Sequence, residues 1–449
     1  MKGQADGFDL TVVGGGLAGC EAAWQAAHRG LRVRLVEMRP SRMTGAHRTD
    51  GLAELVCSNS LGSLLPDRPS GILQDELRQM DSLLLDCARE AAVPAGAALA
   101  VDRAVFSRAV TEKIESHPRI TVCREEAQEL PESLAVVATG PLTSPALSQS
   151  IARLTGSEHL YFFDAIAPII TADSIDHRVV FGDSRNSASG DYLNCPFTEE
   201  EYHRFVAELV QAGRASLREF EAEIPRGVQA GRFFEGCLPV EVLAERGADT
   251  LAYGPMRPVG LHDPRAESRP FAVVQLRQED TAQSMYNLVG FQTNLTEGEQ
   301  RRVFRMIPGL ERAEFIHYGQ MHRNTFLNAP KLLLPTLQFR ARHDLFFAGQ
   351  LTGVEGYLGN IGTGLLAGWN AARLTRGQQP LQLPPETMLG ALCQYIATAE
   401  ERHFQPMKAN FGLLPVQIKQ RGKLERHKAY AEFARKNFQT WKDSINLNE

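Results

Sequence analysis

The stretch FDLTVVGGGLAGCEAAWQAAHRGLRVRLVE, residues 8–37, decides how the chain is read. It divides into an apolar strand, FDLTVV, a turn, GGGLAG, a helix over residues 17–29, and a second strand, RVRLVE, ending at Glu37. Gly14, Gly16 and Gly19 give the G-x-G-x-x-G spacing. The first glycine allows the tight turn, the second lets an anionic group approach the backbone, and the third lets the helix pack close to the strand. The start of the helix offers unpaired amides and the positive end of its dipole to phosphate oxygens. Glu37 stands at the end of the second strand, where a carboxylate accepts hydrogen bonds from a ribose. The pattern predicts a βαβ unit that binds a dinucleotide through Gly14, Gly15, Gly16, Leu17, Ala18, Gly19, Glu37 and Arg39.

Two later segments fit the same sheet. SLAVVATGP, residues 133–141, reads as a buried parallel strand that ends in a small-residue turn at Thr139 and Gly140. DLFFAGQLTGVEGYLGNIGTGLLAGWNAARL, residues 344–374, repeats the plan with a strand, a turn at Ala348 and Gly349, a second glycine-rich stretch and an amphipathic helix. Its glycines bring backbone amides close to a flat or anionic ligand, which puts Gly349, Gln350 and Tyr357 beside it. A sheet that begins at residue 8 and resumes near 335 contains an insertion. The expected fold is α/β: a Rossmann-like domain in two pieces, residues 1–185 and 331–449, with an inserted α+β domain at 186–330 and a helical C-terminal tail.

A chain of 449 residues has room for two or three domains. Its net charge of -5 argues against wholesale coating of nucleic acid. Seven cysteines, at 20, 57, 87, 123, 195, 237 and 393, are odd in number and scattered, with no C-x-x-C pair and no metal-ligand spacing, so they read as reduced thiols without a metal. The N-terminal MKGQADGFDL lacks the regions of a signal sequence, and no apolar run reaches the roughly 18 residues of a membrane span. The expectation is a soluble, cytoplasmic protein. Charge is unevenly spread, however. Lys408, Lys419, Arg421, Lys423, Arg426, Lys428, Arg435, Lys436 and Lys442 are opposed only by Glu425 and Glu432, and Tyr430, Phe433, Phe438 and Trp441 lie among them. Two readings of this tail stay open: phosphate contacts with stacking on unpaired bases, or a solvated helix whose aromatics dock on the parent domain.

The ATG and AGQ turns resemble those of FAD domains of the two-dinucleotide type and favour FAD over NAD as the bound cofactor. Disulfide reductases of that class carry an acid after the last AG and a C-x4-C pair after the first helix; here Gln350 takes the acid's place and the pair is absent. FAGQLTGVEGY resembles FAD-dependent tRNA-modifying proteins. Over almost the whole chain VEMRP, AELVCSNSL, AGAALAVDR, ATGPLTSP, YLNCPF, FFEGCLPVE, TLAYGPMRPVGL and MHRNT are similar to the folate- and FAD-dependent tRNA uracil-5-methyltransferases. The related wobble-uridine family is longer, with an additional domain for which this chain has no room. One departure is GYLGNIGTGLLAG, where the family more often has serine and alanine between the glycines.

The resemblance implies methylation of C5 of a T-loop uridine in tRNA, position 54. The carbon comes from 5,10-methylenetetrahydrofolate and the electrons from reduced FAD, which NAD(P)H regenerates. C5 of uracil is a poor nucleophile. A thiolate adding at C6 makes the ring an enolate that is nucleophilic at C5, and a second group later removes the C5 proton. By resemblance Cys237 in FFEGCLPVE is the nucleophile and Cys57 in AELVCSNSL the base, with Arg232 as a cationic neighbour for Cys237. Cys20, Cys87, Cys123 and Cys393 read as buried small apolar residues. Tyr357 either stacks on a flat ring or packs as an ordinary aromatic. Two other functions stay open: FAD-dependent wobble-uridine modification with a protein partner, and a non-catalytic, flavin-stabilised tRNA-binding protein in which the basic tail matters and the thiols do not.

Overall fold

Leu10–Val13 (β1) is apolar on both faces, and such a strand is stable only where both faces are covered. The computed structural model, which describes residues 7–156, 160–185, 190–215, 238–266 and 268–445, places it inside a six-stranded sheet. Helix Leu17–His28 (α1) follows the glycine turn and leads into Val33–Glu37 (β2). Ile120–Arg124 (β3), Ala135–Val137 (β4), Gln338–Phe339 (β5) and Arg342–Phe347 (β6) complete the sheet in the order β5-β6-β4-β1-β2-β3. All neighbours are parallel except β5 and β6.

Helix Tyr357–Thr375 (α2) follows β6 and lies against α1 with backbone nearly touching backbone. A Cβ at Gly364 would come within 2.2 Å of the Ala18 carbonyl oxygen, and one at Gly368 within 2.4 Å of that of Ala22. Only glycine allows this approach. It sets the starts of both helices side by side at the C-terminal edges of β1 and β6, where doubly wound sheets hold their ligands.

The insertion forms an antiparallel sheet in the order Phe181–Gly182, Tyr192–Phe197, Ala272–Gln278, Met285–Leu288, Ile169–Thr171, Phe315–His317. Helix Glu199–Gln211 backs it, and Phe197, Tyr202, Phe205, Phe291 and Phe304 fill a core of its own. Two of these strands precede residue 186, where the sequence placed the start of the insertion. Thr171 pairs with Met285, and so distant a partner leaves no mark in local composition. Leu160–Ala165 and Met321–Phe326 pair antiparallel and join the insertion to the parallel sheet.

The tail resolves one open reading. Helix Lys423–Ser444 (α3) buries Ala431, Ala434, Phe438 and Trp441 against the parent core. The Tyr430 ring stacks on Phe411 at 5.1 Å, and its hydroxyl accepts the Ile418 amide at 3.1 Å. The aromatics are the docking face. Lys419, Arg421, Lys423, Arg426 and Lys436 remain exposed and, among the described residues, pair with no carboxylate. Among those residues no helix is long and apolar enough to cross a membrane.

Candidate active site

The ends of β1, β4 and β6 and the starts of α1 and α2 enclose a cleft. Gly14, Gly16, Leu17, Ala18, Glu37, Arg39, Thr139, Gly140, Gly349, Gln350, Tyr357 and Asn360 line it. Of the residues the sequence nominated for a dinucleotide, Gly15 and Gly19 are not among the lining residues. A Cβ at Gly19 would stand 1.7 Å from the Gly14 carbonyl oxygen, and one at Gly15 would stand 2.6 Å from Leu52 and 2.8 Å from Glu37 Oε2. Gly14, at φ +104°, would put a Cβ 2.6 Å from the Ala138 carbonyl oxygen. At Gly16 a Cβ would meet nothing within 4 Å. That open space faces the first-turn amides of α1, which have no partner within the helix, and so has the shape and polarity of a pyrophosphate cradle.

Glu37 Oε2 accepts the Gly15 amide at 2.7 Å, and Oε1 accepts the Arg39 amide at 3.0 Å and its Nε at 2.8 Å. Arg39 is fully buried and also reaches Glu54 at 3.0 Å. Burial pushes the Glu37 carboxyl up, but the guanidinium and the two amides outweigh it and hold the group below its ordinary value. It is therefore an anion, and with three bonds already accepted it keeps one acceptor site, on Oε2, for a ribose hydroxyl.

At the other end, the turn after β6 needs positive φ at Gly349, Gly353 and Gly356 before α2 begins at Tyr357. The Gly349 amide donates to Thr363 Oγ1 at 3.0 Å, and Gln350 Nε2 donates to Glu355 at 2.9 Å. The Tyr357 hydroxyl accepts the Cys57 amide at 3.1 Å across 300 residues of sequence. Burial first, and then Cys57, push this hydroxyl above the ordinary tyrosine value, so it stays neutral. Tyr357 thus lines the cleft and also holds the cysteine loop.

That loop is gripped from its far side as well. Arg103 donates to the carbonyls of Leu55 at 3.0 Å and Cys57 at 2.9 Å, and pairs with Glu279 at 2.8 Å. Burial opposes the charge of Arg103, but Glu279, Tyr357 and Cys57 together raise its pKa above the ordinary value. Arg277, on the central strand of the inserted sheet, donates to Asn59 Oδ1 at 2.7 Å and Ser58 Oγ at 2.8 Å. Residues 55–59 are thereby fixed to both domains. Sequence reasoning missed Arg103, Arg277 and Glu279, because their partners are remote in the chain.

Among the described cysteines the remaining thiols look inert. Cys20, Cys87, Cys195 and Cys393 are buried. Burial pushes the thiols of Cys20 and Cys195 up, and raises Cys87 to about 11 and Cys393 to about 12. Cys123, half-buried on β3, does not line the cleft. Cys57 is half-buried beside Val56, which does line it. Cys237 and Arg232 lie outside the described residues. A second cavity, of about 520 Å³, opens between the domains, lined by Arg48, Glu54, Val56, Arg103, Glu279 and His317 among others. Burial, then Arg48 and Arg103, hold His317 below the ordinary histidine value, so its ring is neutral at pH 7. The cysteine loop is the wall the two cavities share. No group of three His, Cys, Asp or Glu among the described residues could hold a metal ion.

The model of the family described as glucose inhibited division protein A matches residues 9–379. The chain is 59% identical over 428 residues to the methylenetetrahydrofolate-tRNA-(uracil-5-)-methyltransferase TrmFO of Synechococcus sp., an alignment covering 95% of this chain and 92% of that protein. It is 56% identical over 428 residues to the protein of that name from Heliobacterium modesticaldum, covering 95% and 96%. Among solved structures, Aquifex aeolicus GidA matches with a TM-score of 0.69 at 18% identity, over 100% of this chain and 75% of that one, a likeness of fold. With its cleft, its clamped cysteine loop and this identity over nearly its whole length, the chain belongs to the methylenetetrahydrofolate-tRNA-(uracil-5-)-methyltransferase family, within the wider family of glucose inhibited division protein A.

Proposed function

We propose that this protein methylates C5 of a T-loop uridine in tRNA in the cytoplasm, taking the carbon from 5,10-methylenetetrahydrofolate, with FAD in the cleft and NAD(P)H as the source of electrons. The observation that carries the reading is the Cys57 amide bonded to Tyr357, which ties a cysteine to the wall of a dinucleotide cleft. Relatives more than half identical to the chain are named for this reaction.

The open space at Gly16 and the anionic Glu37 suit the pyrophosphate and adenosine ribose of FAD, which leaves Gly349, Gln350 and Tyr357 for the flavin half. When bound, FAD supplies the two electrons that take the transferred carbon from the methylene to the methyl level. Cys237 adds as a thiolate to C6 and drives the ring to an enolate. C5 then bonds to the methylene carbon as one folate nitrogen leaves it with the bonding pair, and the pair released when the C5 proton is removed expels the second folate nitrogen, so that both carbon–nitrogen bonds are broken before the carbon is reduced. Cys57 takes the C5 proton. Expulsion of the Cys237 thiolate from C6 restores the aromatic ring once the carbon is reduced. Arg103 and Arg277 hold the Cys57 loop, and the exposed lysines and arginines of the tail meet tRNA phosphates. The neutral His317 and the second cavity stand where a substrate could reach the same loop.

The test is incubation of the reduced protein with tRNA and methylene-labelled folate. Label in 5-methyluridine is the expected result. Label confined to a wobble nucleoside, or tRNA binding with no label transferred, would replace this reading with one of the other two.

A further inference from the structure

Asn360 stands in the first turn of α2 and lines the cleft beside Gly349, Gln350 and Tyr357. It is only 8% exposed, and its Oδ1 is fully buried without a hydrogen-bond partner. Both features are costly. A buried acceptor left unpaired loses its hydration without return, and asparagine is a weaker helix former than the alanines and leucines further along α2. The neighbouring polar groups are already engaged. Gln350 is turned to Glu355, the Gly349 amide meets Thr363, and the Tyr357 hydroxyl receives Cys57. Of the described residues that line the cleft, Asn360 has the side-chain atom that is fully buried without a partner. An ideal Cβ on Gly349 would lie 3.8 Å from Oδ1, so the oxygen stands beside another residue that lines the cleft.

We infer that Asn360 is a cofactor-binding residue whose side-chain oxygen accepts a hydrogen bond from the flavin half of FAD, either from a ribityl hydroxyl or from the ring imide N–H. This rests on the reading that the cleft holds FAD with its adenosine ribose at Glu37. The acceptor role explains why a polar side chain is kept in a helix turn that otherwise buries Leu358 and Ile361.

The experiment compares FAD and ADP binding to full-length protein freed of flavin. Asn360→Leu keeps the branched shape, at a larger volume, and removes the acceptor; it should weaken FAD about three- to twentyfold and leave ADP, which probes only the other half of the cleft, unchanged. Asn360→Asp keeps the acceptor oxygen and puts a second in place of the amide nitrogen, and should bind FAD more tightly than Asn360→Leu. FAD methylated at the ring imide separates the two donors. Binding to the wild type weakened as much as by Asn360→Leu assigns the imide, and unaltered binding assigns a ribityl hydroxyl. Should Asn360→Leu fail to fold, Asn360→Ala carries the same comparison. Unchanged FAD affinity in the variant, or equal loss of FAD and ADP, overturns the inference. A wild-type protein that binds ADP but not FAD overturns the reading beneath it.

Discussion

The glycines at 14, 16 and 19 share one motif but should fail in different ways when replaced, and the contrast tests the assignment of the cleft. Gly16 has φ -80° and ψ -168°, a conformation open to any residue, and its Cβ would meet nothing within 4 Å. Gly16→Val therefore should fold, losing about 1 kcal/mol because valine caps a helix less well than glycine. Its side chain would stand in the space the pyrophosphate needs. Losing one or two charge-assisted bonds at about 1.5–3 kcal/mol each weakens a cofactor by roughly tenfold to twenty-thousandfold. At Gly19 even alanine would put Cβ 1.7 Å from the Gly14 carbonyl oxygen, so α1 must move off β1. Gly19→Ala should cost on the order of 3 kcal/mol or more of stability, as overpacking against backbone does. Gly14→Ala combines a φ of +104° with a contact of 2.6 Å and should also destabilise. The assay is the ratio of flavin to protein absorbance on purification, set beside thermal melting of flavin-free protein. Colourless but stable Gly16→Val against unstable Gly19→Ala is the expected pair. Yellow Gly16→Val, or Gly19→Ala melting with the wild type, would refute the reasoning.

Other outcomes follow from particular groups. Glu76 accepts the Met388 and Leu389 amides at 2.7 and 2.9 Å, and burial pushes its carboxyl up to about 7. A folded value above the unfolded one gives stability that is complete below about pH 4.3 and lost as pH rises to 7, on the order of 3 kcal/mol; in urea titrations the wild type should lose about 2 kcal/mol relative to Glu76→Gln between pH 5 and 7.5, and parallel behaviour would remove Glu76 from the account. Neutralising Lys419, Arg421 and Lys423 together should flatten the salt dependence of tRNA binding by roughly 0.7–0.9 log units per lost phosphate contact, with flavin content unchanged. An unaltered slope would make these residues mere solvated charges. Cys237→Ala should abolish the covalent adduct with tRNA carrying 5-fluorouridine, and Cys57→Ala should lose turnover while keeping its flavin; full activity in either variant excludes the pair as nucleophile and base.

What the sequence displayed was whatever neighbouring residues decide together. The β1-α1-β2 unit was legible because its glycines, its apolar strands and Glu37 all act within thirty-odd positions of one another. The turn at Gly349 was legible for the same reason. The start of the inserted sheet in the chain was not, since Ile169–Thr171 acquires its partners only when Met285–Leu288 and Phe315–His317 arrive. Nor was the grip on the cysteine loop, in which Arg103 reaches Glu279 and Arg277 reaches Asn59 across most of the insertion. The docking of the tail could have been read: Tyr430, Ala434, Phe438 and Trp441 recur at helical spacing, the sign of one face turned to a core. Asn360 carried a fainter sign, a lone amide in an apolar, glycine-rich run.

The pairing of Leu160–Ala165 with Met321–Phe326 bears on how the chain reaches its native topology. β4 must find β6 across about 200 intervening residues, a non-local closure that slows folding. Once the two connecting strands zip together, the inserted domain is set aside as a side branch, and the loop left to close shrinks to about 40 residues. By chain statistics that lowers the entropic cost of joining β4 to β6 by about 1.4 kcal/mol. The closure cost is thereby moved to the neck, and an insertion held there can vary in length or fold separately without lengthening the loop that joins β4 to β6 at the edge of the cleft.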